Sequence, residues 1–368
     1  MSTLSAWRRM LSVVIVCWLS GSLSGFASAQ DRQDAFKLPP PADSAEALRR
    51  AFYAYDSDLP LNAVVKPLMK AVLKSTAQSS VTAPSKAGVK PKAGTAVNVM
   101  VKDESEIRTR YRLDYDSAHD QRVSAIVAVP KKVKGPMPAV LLMHGSGGDK
   151  DVNYIHGISE ALVRRGFITL SIDAQYRGDR VKPGRVNDIK PDSYTWRDAW
   201  VQTVIDLRRA VDYLETRPDV DKSRIGYLGV SMGGILGGIL GGVEERVSCF
   251  ALVVPGGGFV ELAKNVESYP NLKAHWPIKV TPEVLKRVED IANVADPIYF
   301  VGRILPRPLL IIVAKHDELI PPAASAAFVA ASHADEATQV RRVESGHVPP
   351  TQVVFEVRDY FVNHLGKK

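Results

Sequence analysis

The stretch Ile225-Gly226-Tyr227-Leu228-Gly229-Val230-Ser231-Met232-Gly233-Gly234 carries the strongest structural signal in the chain. Residues 225–230 form a short apolar run suited to a strand buried on both faces, and a glycine-rich helix start follows Ser231. The pattern Gly-x-Ser-x-Gly is weak alone and becomes specific in this strand-to-helix context. A serine on such a turn stands clear of the sheet, and Gly229 and Gly233 suit a strained backbone packed closely on either side. The alternative is an ordinary strand-to-helix turn. The choice depends on whether the partners that a reactive serine needs occur elsewhere in the chain.

From residue 108 onward, apolar strands alternate with amphipathic helices. This is the signature of a mainly parallel sheet covered on both faces, so the expected fold class is α/β. The runs 139–143, 167–172, 225–230 and 250–254 are rich in β-branched residues and too apolar for half-exposed strands, and 309–313 makes a fifth. Residues 110–115 and 122–129 alternate in polarity and are joined by Asp116-Ser117-Ala118-His119-Asp120, which predicts an antiparallel hairpin at a sheet edge. Helical spacing occurs over 154–165 and over 196–214, where Trp200, Val204, Leu207, Val211 and Leu214 share one face. A last helix is expected over 351–365, with Val354, Val357, Phe361 and Leu365 as its stripe. Gly256-Gly257-Gly258 is followed by no Lys-Ser/Thr pair and so is not a phosphate loop. These glycines lead instead into an expected lid insertion over about 259–299.

Ahead of residue 108 the composition changes. Residues 1–29 have the parts of a secretory signal: Arg8 and Arg9, an apolar run over 10–19, and Ala27-Ser28-Ala29 before Gln30. That run is far short of the roughly 20 residues a bilayer requires, so cleavage near Ala29-Gln30 and export to the periplasm or exterior are expected, with no stable membrane anchor. Residues 30–107 read as an N-terminal extension, with a helix over 44–53 and a flexible linker of Ser, Ala, Thr, Pro, Gly and Lys over about 75–95. The catalytic domain is expected over 108–368. With 45% hydrophobic and 24% charged residues, the chain is not disordered throughout. The formal net charge of +8 includes Arg8 and Arg9, and the other basic residues are scattered with no nucleic-acid-binding module beside them. Nucleic acid is therefore not an expected partner. Cys17 lies in the leader, which leaves Cys249 alone and allows no internal disulfide. Its apolar neighbours predict a buried strand residue. No Cys or His cluster has metal-ligand spacing, so no metal or other cofactor is expected. The oligomeric state stays open.

A serine hydroxyl is a poor nucleophile at neutral pH; an imidazole must take its proton and a carboxylate must hold that imidazole. In chain order the acid follows a late strand and the histidine precedes the last helix. Of eight histidines, only His347 lies between the last predicted strand and the last predicted helix. Asp317 follows the strand 309–313, with its neighbour Glu318 as the rival acid. The oxyanion of an attacked carbonyl needs backbone donors already aimed at it. The N–H groups of Met232 and of Ser146, in His144-Gly145-Ser146-Gly147-Gly148, are the expected pair. His144 is expected to brace that loop rather than act as a base. Asp173, Arg177, Asp179 and Arg180 read as a salt-bridge network rather than an anion site. The pairs Gly233-Gly234, Gly237-Gly238 and Gly241-Gly242 would let a helix pack close to the sheet, in preference to forming a membrane dimer face.

His144-Gly145-Ser146-Gly147-Gly148, Gly229-Val230-Ser231-Met232-Gly233-Gly234, Asp317 and His347 together resemble the α/β-hydrolase superfamily, over roughly residues 108–368. The resemblance implies the α/β-hydrolase fold and a serine hydrolase working through an acyl-enzyme. Ile172-Asp173-Ala174-Gln175-Tyr176-Arg177-Gly178, Asp296-Pro297 and Arg307-Pro308-Leu309-Leu310 are similar to the dienelactone hydrolase and acetyl xylan esterase-like branch. Dienelactone hydrolases use cysteine where this chain has Ser231, which favours serine esterase chemistry. The implied reaction is hydrolysis of a small acyl or acetyl ester of a small molecule or saccharide. Two rivals stay open. One is a serine peptidase of the prolyl oligopeptidase type, whose catalytic domain the branch also resembles although no propeller domain is found here. The other is a non-catalytic binding protein of the same fold.

Overall fold

Leu170, Leu141, Tyr227, Phe250 and Leu309 stand each opposite the next across five strands, and all five are fully buried. Such side chains exclude water from both faces of a sheet, and the sheet forms around them. The computed structural model describes residues 45–75, 96–132, 134–182, 192–333 and 338–366. The chain divides into two units, residues 1–47 and 48–368, and of the first only 45–47 are described. The leader therefore lies outside the described residues, as do 76–95 of the expected linker.

The described strands are β1 (Val64–Pro67), β2 (Met69–Ser75), β3 (Ala96–Lys102), β4 (Arg108–Ser117), β5 (Gln121–Pro130), β6 (Met137–Met143), β7 (Ile168–Ile172), β8 (Val220–Val230), β9 (Cys249–Val253), β10 (Leu309–Ala314) and β11 (Thr338–Val343). Nine of them form one sheet in the order β1-β4-β5-β7-β6-β8-β9-β10-β11. From β7 to β11 all neighbours are parallel, while β1, β4 and β5 are antiparallel to their neighbours. All five predicted apolar runs are strands of this sheet. Cys249 is buried on β9, and burial pushes its thiol up to about 12.

Two expectations are corrected, and one strand is added. The β4–β5 hairpin is not the sheet edge, because β1 pairs outside it with Val65 opposite Leu113. Consequently the region before residue 108 is not merely an extension. It supplies β1 and the fully buried Tyr53, whose hydroxyl donates to the Val294 carbonyl at 2.7 Å. The added strand is β11. It is an edge strand reading Thr-Gln-Val-Arg-Arg-Val, and only Val343 is buried, so it has no apolar run to betray it.

The helices are α1 (Ala45–Phe52), α2 (Asn153–Val163), α3 (Tyr194–Thr216), α4 (Met232–Val243), α5 (Phe259–Lys264), α6 (Pro270–His275), α7 (Pro282–Ala295), α8 (Pro322–Ala331) and α9 (Gln352–Leu365). Strand residues alternate between two cores: Ala139, Leu141 and Met143 of β6 face one, and Val140 and Leu142 the other. The first core takes Val204, Leu207 and Val211 from α3 and Leu236 and Ile239 from α4. The second takes Ile155 and Ile158 from α2, with Val353, Val357 and Phe361 from α9. This is the α/β-hydrolase arrangement, a mainly parallel sheet with helices on both faces. The glycines of α4 bring it onto the sheet as expected: a Cβ on Gly237 would lie 2.4 Å from Leu252 Cδ2 and from Tyr227 Cε1.

Candidate active site

Ser231 is the residue between β8 and α4, with φ 56° and ψ −117°. This backbone region is sparsely populated and costs on the order of 1–3 kcal/mol for a non-glycine residue. The surroundings impose it. The Ser231 N–H donates to the Val253 carbonyl at 2.8 Å, and its own carbonyl accepts from Ile235 N–H at 3.0 Å. Side chains are excluded on both flanks, since a Cβ on Gly229 would sit 2.1 Å from the Gly233 oxygen and one on Gly233 would sit 2.3 Å from the Met143 oxygen.

Three side chains converge at this turn. His347 Nε2 is 3.0 Å from Ser231 Oγ, and His347 Nδ1 is 2.9 Å from both carboxylate oxygens of Asp317. The Asp317 side chain is only 2% exposed, and its Oδ1 also accepts from Leu319 N–H and Ile320 N–H at 2.9 and 2.8 Å. Those donors fix the direction of the carboxylate. Glu318, the rival acid, does something else: its Oε2 accepts the backbone N–H of His347 at 2.9 Å and so positions the loop that carries the ring. An imidazole held this way can take a proton from Ser231 while its Nδ1–H stays with Asp317.

The glycine loop after β6 reaches the same point. A Cβ on Gly145 would lie 3.3 Å from Ser231 Cβ, and Ser146 lines the cavity that contains Ser231. His144 is fully buried. Its Nε2 must accept, because Ala174 N–H donates to it at 3.1 Å, so Nδ1 carries the hydrogen and donates to the Gly145 carbonyl at 2.7 Å. Burial holds its pKa below the usual histidine range, which keeps this neutral bracing form. The residue sequence reading missed is Tyr154 on α2, whose hydroxyl accepts Gly145 N–H at 2.8 Å. No sequence signal marks it, because its partner is nine residues away across a turn. With Gly145 N–H occupied, Ser146 offers the next amide along the loop. Met232 is the first residue of α4, and N–H groups in a first helical turn lack intrahelical acceptors and carry the positive end of the helix dipole.

The acidic and basic residues after β7 form a structural network. Buried Asp173 accepts Lys150 N–H at 2.9 Å, Lys150 Nζ at 2.6 Å and Asp179 N–H at 2.9 Å, while Arg180 pairs with Asp206 at 2.6 Å. The expected lid, 259–299, contributes no residue to the wall of the cavity around Ser231. Phe259, Leu262, Leu272, Trp276, Val288 and Ile291 of that segment instead line a separate cavity of about 140 Å³.

Residues 95–347 match the acetyl xylan esterase (AXE1) family. YtaP of Bacillus subtilis (strain 168), named as a hydrolase, is 29% identical over 217 residues, which is 55% of this chain and 67% of that protein. YitV of the same organism, named as an esterase, is 22% identical over 239 residues, 62% of this chain and 90% of that protein. Among solved structures, the acetyl xylan esterase from Paenibacillus sp. R4 superposes with a TM-score of 0.61 at 20% identity, covering 87% of this chain and 93% of that one. Acetyl xylan esterase 1 from Thermoanaerobacterium sp. JW/SL YS485 gives 0.57 at 17% identity, covering 92% and 99%. These structural likenesses carry the fold, and the family match carries the chemistry. The chain belongs to the acetyl xylan esterase family and is a serine carboxylic ester hydrolase of the α/β-hydrolase fold.

Proposed function

We propose that this enzyme hydrolyses small-molecule esters, acetyl and other short acyl esters among them, with Ser231 as nucleophile, His347 as base and then acid, and Asp317 as its orienting carboxylate. The observation that supports this most directly is the line from Ser231 Oγ through the His347 ring to Asp317, at 3.0 and 2.9 Å. In the reaction Ser231 Oγ attacks the ester carbonyl carbon as its proton passes to His347 Nε2, and Asp317 stabilises the imidazolium. The carbonyl oxygen becomes an oxyanion held by the N–H groups of Met232 and Ser146. Collapse breaks the bond to the alcohol oxygen, which leaves with the proton from His347. Water then repeats the sequence on the acyl-enzyme and returns Ser231 to its starting state.

A fluorophosphonate tests this: the wild-type chain is labelled at Ser231 and hydrolyses p-nitrophenyl acetate, and peptide anilides are turned over more slowly than esters. An unlabelled Ser231 in folded protein overturns the proposal, and faster turnover of anilides replaces it with a peptidase. The leader supports a second part of the reading, that the mature enzyme works beyond the cytoplasmic membrane and begins near Gln30. Among the described residues no helix is long and apolar enough to cross a membrane. Intact-mass measurement after expression of the full chain in a bacterial host should find the shortened form outside the cytoplasm. A retained leader on cytoplasmic protein rejects it.

A further inference from the structure

We propose that the natural substrate is an ester bearing an extended apolar chain, seated in a groove that runs from Ser231 between α2 and α9. The inference rests on the nucleophilic role proposed for Ser231. The cavity that holds Ser231 and His347 measures about 730 Å³, within the range of sites for sizeable organic ligands. An acetyl group fills on the order of twice the ~30 Å³ share of one water, so most of this space lies beyond it.

The chemistry of the walls identifies the occupant. Ile158 of α2 forms one side, Val353, Val354 and Val357 of α9 form the other, and Val230 and Val253 form the base at the strand ends. Among the described residues, the only ionisable side chains lining the groove are those of His347 and Tyr154, the only amide is that of Asn153, and the other hydroxyls are those of Ser146, Ser231 and Thr351. Saccharide hydroxyls require many such groups to replace their water, whereas an alkyl chain is suited by a wall that carries few. Tyr154, the one tyrosine among the described lining residues, accepts Gly145 N–H through its hydroxyl oxygen. One further residue suits a chain lying along the helix: at exposed Gly157 of α2, which lines the groove, a Cβ would meet nothing within 4 Å, so the position has room for a larger side chain.

Two substrate series separate the sources of the chain. One varies the acyl group from acetate to decanoate on p-nitrophenol; the other varies the alcohol from ethyl to decyl on acetate. kcat/KM should rise about fourfold per methylene in one of them until the groove is full, equivalent to about 0.8 kcal/mol at 1.36 kcal/mol per tenfold. The series that rises tells whether the acyl or the alcohol side occupies the groove. Gly157→Leu, which a helix accepts readily, should flatten that rise, lowering the ratio of long-chain to acetate kcat/KM at least tenfold while the melting temperature is kept. Flat rates in both series, a peracetylated xylo-oligosaccharide outperforming every long-chain ester, or an unaltered ratio in Gly157→Leu overturns the inference. If Ser231 is labelled in that case, the proposed function survives; if it is not, both fall.

Discussion

Ser231 keeps a strained backbone because both of its own peptide groups are bonded and both flanking glycines are pressed against neighbouring backbone. In the proposed mechanism its reactivity is a property of three side chains acting as a unit. Ser231→Ala and His347→Ala should each lower kcat by at least about 10³-fold, and the double variant should be hardly worse than either. Steady-state kinetics of the three proteins measure this, and additive losses contradict the assignment. The two adjacent acids should behave very differently. Asp317→Asn removes the charge that stabilises the imidazolium and disturbs its tautomer, so kcat should fall on the order of 10³- to 10⁴-fold. Glu318→Gln keeps an oxygen for His347 N–H and should stay within about tenfold. Equal losses would mean that Glu318 shares the orienting role.

The 259–299 segment is pinned at both ends by one carboxylate. Asp296 closes α7, and its oxygens accept from Gly258 N–H at 3.0 Å, Phe259 N–H at 2.6 Å and Ile298 N–H at 3.3 Å. Burial nevertheless dominates and pushes its pKa up to about 6, with the three backbone donors pulling the other way. The folded state therefore holds a proton that the unfolded chain, with an ordinary aspartate near 3.9, has already lost between pH of about 4 and 6. Its contribution is fully present below the unfolded pKa and is lost as pH rises through the folded one. Urea unfolding across this window should show the Asp296 share of stability falling with pH, and Asp296→Asn should remove that slope while lowering stability throughout. A slope unchanged in Asp296→Asn would place the titration elsewhere.

At the level of the whole molecule, the residues ahead of 108 contribute β1 to the main sheet, while β2 and β3 pair in a separate two-stranded sheet. Tyr53 is buried, Arg208 donates to its carbonyl at 2.6 Å, and β1 extends the sheet past β4. A chain shortened to begin at residue 96 loses these contacts, and its melting temperature should drop by at least about 5 °C, since a buried aromatic side chain alone contributes on the order of 2–3 kcal/mol. An unchanged melting temperature would restore the picture of a dispensable extension. The central parallel strands, the crossover helices and the order Ser231, Asp317, His347 were all legible in the residues. Strands buried on both faces must be continuously apolar, and a tight strand-to-helix turn needs glycine at defined positions, so both constraints are local. Edge strands β1 and β11 have a face in water and no such run, so their places came only from pairing. The hold of Glu318 on His347 N–H, the grip of Tyr154 on Gly145 and the apolar groove between α2 and α9 depend on where separate elements meet. Distances across a folded core are set by packing of residues far apart in the chain, and no local pattern records them.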